Sequence, residues 1–315
     1  MIQDSGMARH VLRRLLSLIP TLLMLITVAF FLMRMAPGGP FDSEKFLSAE
    51  VEANLEAKYH MDESLVQQYF RYLSQIAVLD FGSSIQYKDW TVKELIAQAM
   101  PVSLTIGLSA MLLAFLLGTL LGISAALRQN TRVDYLLMGV GMLGISIPNF
   151  VVAPILTLIL AVYAGLLPAG GWDWSIASMV LPVVTLALPV TAYIARLTRG
   201  SMIEVMHSNF IRSARAKGLP ESTVIRRHAL RPALLPVISF LGPATAGMIS
   251  GSVIIERIFT IPGLGSYFVQ GALNRDYALV MGVVIFYGVL IIMLNFLIDL
   301  IYAWLNPKVR YDEKH

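Results

Sequence analysis

The side chains able to do chemistry are few and scattered. Five histidines (His10, His60, His207, His228 and His315) include no pair at metal-ligand spacing. Ser146, in Gly144-Ile145-Ser146-Ile147-Pro148, lacks the closing glycine of a nucleophile elbow. No glycine loop ends in the Gly-Lys-Ser/Thr that cradles phosphates, so any nucleotide energy must be released by another chain. There is no cysteine, which removes disulfides, thiolate metal sites and thiol nucleophiles. Within the apolar stretches Asp299 is the one clear ionisable residue. It lies within about two helical turns of the end of its stretch, where reaching the interface or a neighbouring helix explains it better than carrying protons. The residues therefore point away from an enzyme with its own catalytic centre. They also disfavour the main alternative, a proton-coupled secondary transporter, which needs ionisable groups at mid-membrane.

The other chemistry on offer is recognition, and it sits in residues 196–233, with eight Lys and Arg in that stretch. Met202, Met206, Phe210 and Ala214 recur every four residues, which predicts an apolar stripe on one helical face. Arg212, Arg215 and Lys217 crowd the end of that helix, where cations complement its dipole. Gly218 suits a left-handed stop and Pro220 prevents continuation. A second short helix is predicted over Glu221–Leu230, before Pro232. Two readings fit equally: a basic amphipathic loop lying on anionic lipid, or a helix–glycine–helix knob for a partner to grip.

These segments must be positioned by a membrane scaffold. Of 315 residues, 57% are apolar and 14% charged, against about 45–50% and about 25% in soluble domains. The surplus is gathered into stretches of the ~20 residues needed to cross a ~30 Å hydrocarbon layer. The expected fold is an all-α polytopic membrane protein with six spans: Leu15–Met33, Val102–Leu127, Tyr135–Leu166, Met179–Ala195, Leu234–Ile255 and Leu279–Leu305. The third is long enough for a tilted helix that Pro148 and Pro154 could kink, or for a helix followed by a re-entrant piece. Prolines at 148, 154, 182, 189, 236 and 243 are individually tolerable inside a bundle. With both termini inside, the inner segments 1–14, 128–134, 196–233 and 306–315 hold 16 of 24 Lys and Arg. Both termini are therefore expected in the cytoplasm. The net charge of +4 is a topology signal rather than a nucleic-acid-binding surface. The first span is too long for a signal core and lacks a cleavage site, so it should stay attached; Met7 is an alternative start to Met1. Residues 34–99 form the longest outer loop, in which Asp62-Glu63-Ser64 could cap a helix whose Leu65, Tyr69, Tyr72, Leu73 and Ile76 share a face.

At Arg212, Ser213, Ala214 and Gly218 the sequence resembles the cytoplasmic signature of permease subunits of bacterial ATP-binding-cassette importers, with arginine in place of the signature glutamate. Ala214-Arg215-Ala216-Lys217-Gly218-Leu219 is similar to the peptide and nickel branch. Arg231-Pro232 follows Leu230, setting the expected Leu-Pro one residue late. The likeness spans the chain. It includes Arg13-Arg14 before Pro20-Thr21, Arg34 before Pro37-Gly38-Gly39-Pro40, and Asp80-Phe81-Gly82 with Ser84. It continues through Glu256, Phe259, Pro262-Gly263-Leu264-Gly265 and Arg275-Asp276-Tyr277. Asp62-Glu63-Ser64 departs from it, since many relatives carry a proline there.

The chain thus looks like the B-type subunit of oligopeptide and dipeptide permeases, with the type I importer permease fold. The resemblance implies three parts: 1–99 with the tail, first span and large periplasmic loop; 100–305 as the permease domain; and 306–315 as a cytoplasmic tail. It implies a heterodimer with a second permease, two cytoplasmic ATPases and a periplasmic peptide-binding protein, in a Gram-negative inner membrane. Arg212, Ser213, Ala214, Arg215, Lys217 and Gly218 would form the coupling helix that docks on an ATPase. Glu256, Pro262, Gly263 and Gly265 would shape the outer mouth. No cofactor is expected in this chain, ATP and its magnesium being held by the partner subunits. Nickel and glutathione importers share the same motifs.

Overall fold

The computed structural model describes residues 4–35 and 60–305, with side chains over 18–35 and 60–302. The Pro37–Pro40 stretch and the 306–315 tail lie outside the described residues. The elements are α1 (Asp4–Met35), α2 (Leu65–Ala77), α3 (Val92–Leu127), α4 (Arg132–Ser146), α5 (Asn149–Leu156), α6 (Ile176–Met206), α7 (Asn209–Ala216), α8 (Glu221–Thr223), α9 (Leu230–Gly251), α10 (Val253–Ile258), α11 (Leu264–Leu273) and α12 (Tyr277–Leu305). Wide-turn π-helical stretches prolong α5 over Thr157–Tyr163 and join α8 to α9 over Val224–Ala229. Among the described residues five helical runs are long and apolar enough to cross a membrane, Leu18–Met35, Val92–Leu127, Ile176–Met206, Glu221–Ile258 and Tyr277–Tyr302, and the bent pair Arg132–Ser146 with Asn149–Tyr163 makes six if it counts as one span.

The third expected span is not a single kinked helix. α4 and the α5 run meet at 103°. The cause is local: Pro148 forces its predecessor out of helical geometry, and Ile147 sits at φ −98°, ψ 120°. The fourth and fifth spans are longer than expected. α6 continues to Met206, so Arg196 and Arg199 stand on the spanning helix rather than in a loop. The predicted short helix over Glu221–Leu230 does not end before Pro232 but runs on into α9. The wide π turn just before Pro232 loosens the winding where its ring would crowd the preceding turn.

The described chain divides into two compact units. One comprises Met1–Val102 with Pro262–Leu290, the other Ser103–Ile261 with Ile291–His315. Residues 262–290 thus join the N-terminal part of the chain in one unit. Asp276 is one reason. Its buried carboxylate accepts hydrogen bonds from Ser84 Oγ, from the backbone N–H groups of Ile85 (2.9 Å) and Gln86 (3.1 Å), and from Leu279 N (3.1 Å), capping α12 while gathering a loop 190 residues away. Close approach is the other reason, since Gly282 lets α12 lie against Val92 and Ile96, and Gly288 against Leu25.

In the same unit Ser64 and Gln67 form a capping box at the start of α2. Tyr69, Tyr72, Leu73 and Ile76 face inward as expected, but Leu65 is exposed and the most buried residue of the helix is Gln68. Tyr69 OH hydrogen-bonds Thr27 Oγ1 at 2.6 Å, and the Phe30 ring lies 5.4 Å from that of Tyr69.

The second unit packs α3, α4 and α9 on α6. At Gly118 a Cβ would stand 2.7 Å from Thr191 O, so α3 and α6 touch backbone to backbone. The Tyr193 and Phe240 rings stack at 4.3 Å between α6 and α9.

Candidate functional site

The basic segment forms a knob of short helices. α6 ends at Met206, and His207 and Ser208 break the chain there: His207 Nδ1 lies 2.8 Å from Ile203 O, and Ser208 Oγ donates to Val205 O at 2.6 Å. Both bonds satisfy carbonyls that a helix end leaves unpaired. α7 then starts at Asn209. The single helix expected over Met202–Lys217 is therefore two, and the stripe changes with it. Met202, Ile211 and Ala214 are buried, together with Val224, Ala229 and Ala233, whereas Phe210 is 49% exposed. The turn at 207–208 shifts the phase of the periodicity, which is why Ile211 takes the place expected for Phe210.

α7 is thus seated on an apolar floor built from α6, the π stretch and the start of α9. Its other face carries Arg212, Ser213, Arg215 and Lys217 in solvent. Ser213 Oγ returns to Asn209 O at 3.0 Å. Gly218 ends the helix at φ +75°, with its N–H on Arg215 O at 2.9 Å and nothing within 4 Å of where a Cβ would lie. A side chain at 218 would meet backbone strain alone. Arg215 is not a free cation. Its Nε and Nη2 reach the two carboxylate oxygens of Glu221 at 3.1 and 2.6 Å, clamping the turn from Lys217 to Pro220. Arg212 and Lys217 make no ion pair among the described residues. Of the six residues singled out in the sequence, five present their side chains or backbone outward, and Ala214 belongs to the floor.

A second polar joint sits where α4 meets α6. Arg199 Nε and Nη2 each lie 2.6 Å from an oxygen of Asp134, whose side chain is 1% exposed, and Asn130 N donates to the same carboxylate at 2.9 Å. Sequence reasoning missed this pair. The signal was available in the one acid that opens an apolar helix and in an arginine that interrupts another.

The residues assigned to the outer mouth do not form one loop. Glu256 lies in α10, fully buried, and accepts from Ser103 Oγ and Ser252 Oγ at 2.7 Å each. Gly263 is the cap residue of α11, and Gly265 lies inside that helix, buried, so only Pro262 and Gly263 belong to a turn. Glu256 falls in the second unit and Pro262–Gly265 in the first. Buried acids are thus more numerous than the single Asp299 that the apolar stretches displayed.

With this geometry in view, comparison with known proteins is decisive. Residues 118–311 match the family model described as binding-protein-dependent transport system inner membrane component, and residues 7–89 match its N-terminal companion. The chain belongs to this family of transport permeases. Relatives of the permease include the oligopeptide transport system permease protein OppB of Haemophilus influenzae. It is 55% identical over 306 residues, spanning 97% of this chain and all of the relative. OppB of Escherichia coli K12 is 54% identical over the same span. The dipeptide transport system permease protein DppB of Bacillus subtilis is 44% identical over 308 residues, 98% of this chain and all of the relative. Among solved structures, an inward-facing MetNI methionine ABC transporter gives a TM-score of 0.56 at 17% identity, covering 68% of this chain and 97% of that one. That likeness shows the fold, the type I importer permease fold. The permease is a multi-pass component of the inner membrane.

Proposed function

We propose that the permease forms one half of the pore of an ATP-driven importer of peptides, with α7 and the Gly218 turn as the element that docks on an ATPase subunit. The observation that carries this reading is the knob itself: a short basic helix fixed by an apolar floor, with its charged face turned to solvent, standing between two spans. A surface loop resting on lipid would turn its apolar face outward; here that face is buried in the chain's own helices. Peptides are the substrate class because the relatives are named for oligopeptide and dipeptide transport.

The second permease, two ATPases and an extracytoplasmic binding protein complete the assembly. The excess of Lys and Arg in residues 1–14, 128–134, 196–233 and 306–315 supports a cytoplasmic position for the knob and both termini. In operation the ATPase pair closes, pushes α7, and the push enters the membrane through two rigid joints. The apolar floor passes it to α6 and α9, and the Asp134–Arg199 pair passes it from α6 to α4. The chain supplies no nucleotide chemistry of its own. Gly263 and its neighbours at the start of α11 contribute to the outer mouth.

Purification of the C-terminally tagged chain in mild detergent from its native membrane tests the assembly. A second permease and ATPase chains co-eluting with nucleotide hydrolysis are expected. A lone chain that transports peptide in proteoliposomes without ATP would overturn the proposal. The docking role is tested separately, since Gly218→Val should stop uptake while leaving membrane accumulation intact.

A further inference from the structure

The second unit holds a cavity of about 300 Å³ among three interrupted helices. Its walls are the bend between α4 and α5 (Ile145 and residues 147–150), Pro189 of α6, and Gly251, Ile254 and Ile255 where α9 gives way to α10. Each wall carries a fault in its helix. Pro148 and Pro189 have no N–H to return to the preceding turn, and Ser252 separates α9 from α10. α4 is 15 residues long. The bend therefore lies about 22 Å along the helix from Arg132, inside a ~30 Å hydrocarbon layer.

At that depth irregular backbone survives only inside protein or against a watery space. Ile147 is extended, at φ −98° and ψ 120°, and both it and Pro148 are exposed on this chain. Asn149, half-buried, adds an amide that makes no hydrogen bond among the described residues. The rest of the lining is apolar, with Phe150 55% exposed and Ile145 and Ile254 exposed as well. The cavity thus joins apolar surface to groups that need a hydrogen-bonding partner. An acyl chain would cover the first and leave the second unpaired. A helix of the second permease would bring backbone already paired within itself. A peptide brings both apolar side chains and free N–H and C=O groups between them. The volume of about 300 Å³ stands at the small end of the ~300–1,000 Å³ of ligand sites, which suits one bulky side chain rather than a whole peptide.

We propose that this cavity receives one apolar side chain of the transported peptide, with the Asn149 amide pairing to the peptide backbone beside it. Phe150 and Ile254 pack on that side chain, and the size of the space sets which side chains pass. The inference rests on the importer reading and adds a point of selection within this chain.

The test uses the full assembly, purified with its co-eluting subunits and reconstituted in proteoliposomes with its binding protein. A Phe150→p-benzoylphenylalanine variant is irradiated in the presence of radiolabelled Ala-Phe-Ala. The label should appear on this chain and be displaced by excess unlabelled peptide. A cross-link to the second permease or to phospholipid in place of peptide would overturn the proposal. Gly251→Leu supplies a second reading, because nothing lies within 4 Å of where a Cβ would stand and the added side chain takes up part of the cavity. In that variant kcat/KM for ATP-driven uptake of Ala-Phe-Ala should fall at least tenfold relative to trialanine, measured against the wild-type ratio. An unchanged ratio in a well-accumulated variant would equally overturn it. The two substitutions stand on different helices, so misfolding of one leaves the other to decide. Failure of the wild-type assembly to import either peptide would instead sink the importer reading, and this inference with it.

Discussion

The knob of α7 and the loop held by Asp276 are both short connections between helices, yet they are fixed in opposite ways. The knob keeps its apolar side chains beneath and its charges in water, where the Arg215–Glu221 ion pair is about half exposed on each side. The loop keeps its charge beneath: Asp276 is fully buried and takes four donors from residues 84–86 and 279. In the knob, stability comes from area removed from water, so the surface is free to change for a partner. In the loop, one carboxylate holds the backbone, and its loss strands several buried donors. A surface meant for recognition and a joint meant to hold two ends of a chain together thus place their polar groups on opposite sides.

The contrast is broken most severely at the joint. Asp276→Ala should destabilise the protein by about 3–5 kcal/mol, since it leaves buried N–H groups without an acceptor. Loss of membrane accumulation and a lower melting temperature would report it. Asp134→Asn removes the charge that Arg199 holds in a buried, bidentate pair and should cost about 2 kcal/mol, read as a fall in melting temperature with reduced ATP-driven uptake. Gly218→Val costs about 1–2 kcal/mol of left-handed strain, yet uptake should fall at least tenfold. Gly218→Asn, which tolerates that geometry, should retain most of it. Normal uptake by a well-accumulated Gly218→Val variant would remove the knob from the coupling path. Glu221→Gln, at an exposed pair, should change stability by less than about 1 kcal/mol and lower uptake only moderately, by loosening the turn.

The smallest effect belongs to the loop before α6. Hydrogen bonds from Ser175 and Ser178 hold the Asp173 carboxyl down to about 2. Because the folded value lies below the unfolded one, this contribution is complete above about pH 4 and is lost as pH falls through about 2. Emission from the neighbouring Trp172 and Trp174 should therefore be flat from pH 7 to about pH 4 and change only below.

Much was legible beforehand because it depends on neighbours in sequence. Apolar length gave the spans, Gly218 and Pro220 gave the stop of α7, Ser64 gave the start of α2, and the ordered motifs gave the family. Phe210 was misplaced, since a two-residue turn at His207 and Ser208 resets a helical phase that periodicity assumes to be unbroken. The bend at Pro148 was legible as a break, but its 103° was not, because a proline says where winding stops and not where the next helix points.

What the sequence alone determined is the set of helices, their apolar faces and the segments rich in cation, all of them consequences of local composition and spacing. Only the tertiary structure decided which polar groups are buried and by what they are satisfied. Ser84 and Asp276 stood in two separate motifs 192 residues apart and meet in one hydrogen bond. Asp134 and Arg199, and Ser103 and Glu256, are of the same kind. A charge or amide can be buried only where a partner arrives, and that partner is supplied by packing between distant helices, which no local pattern encodes.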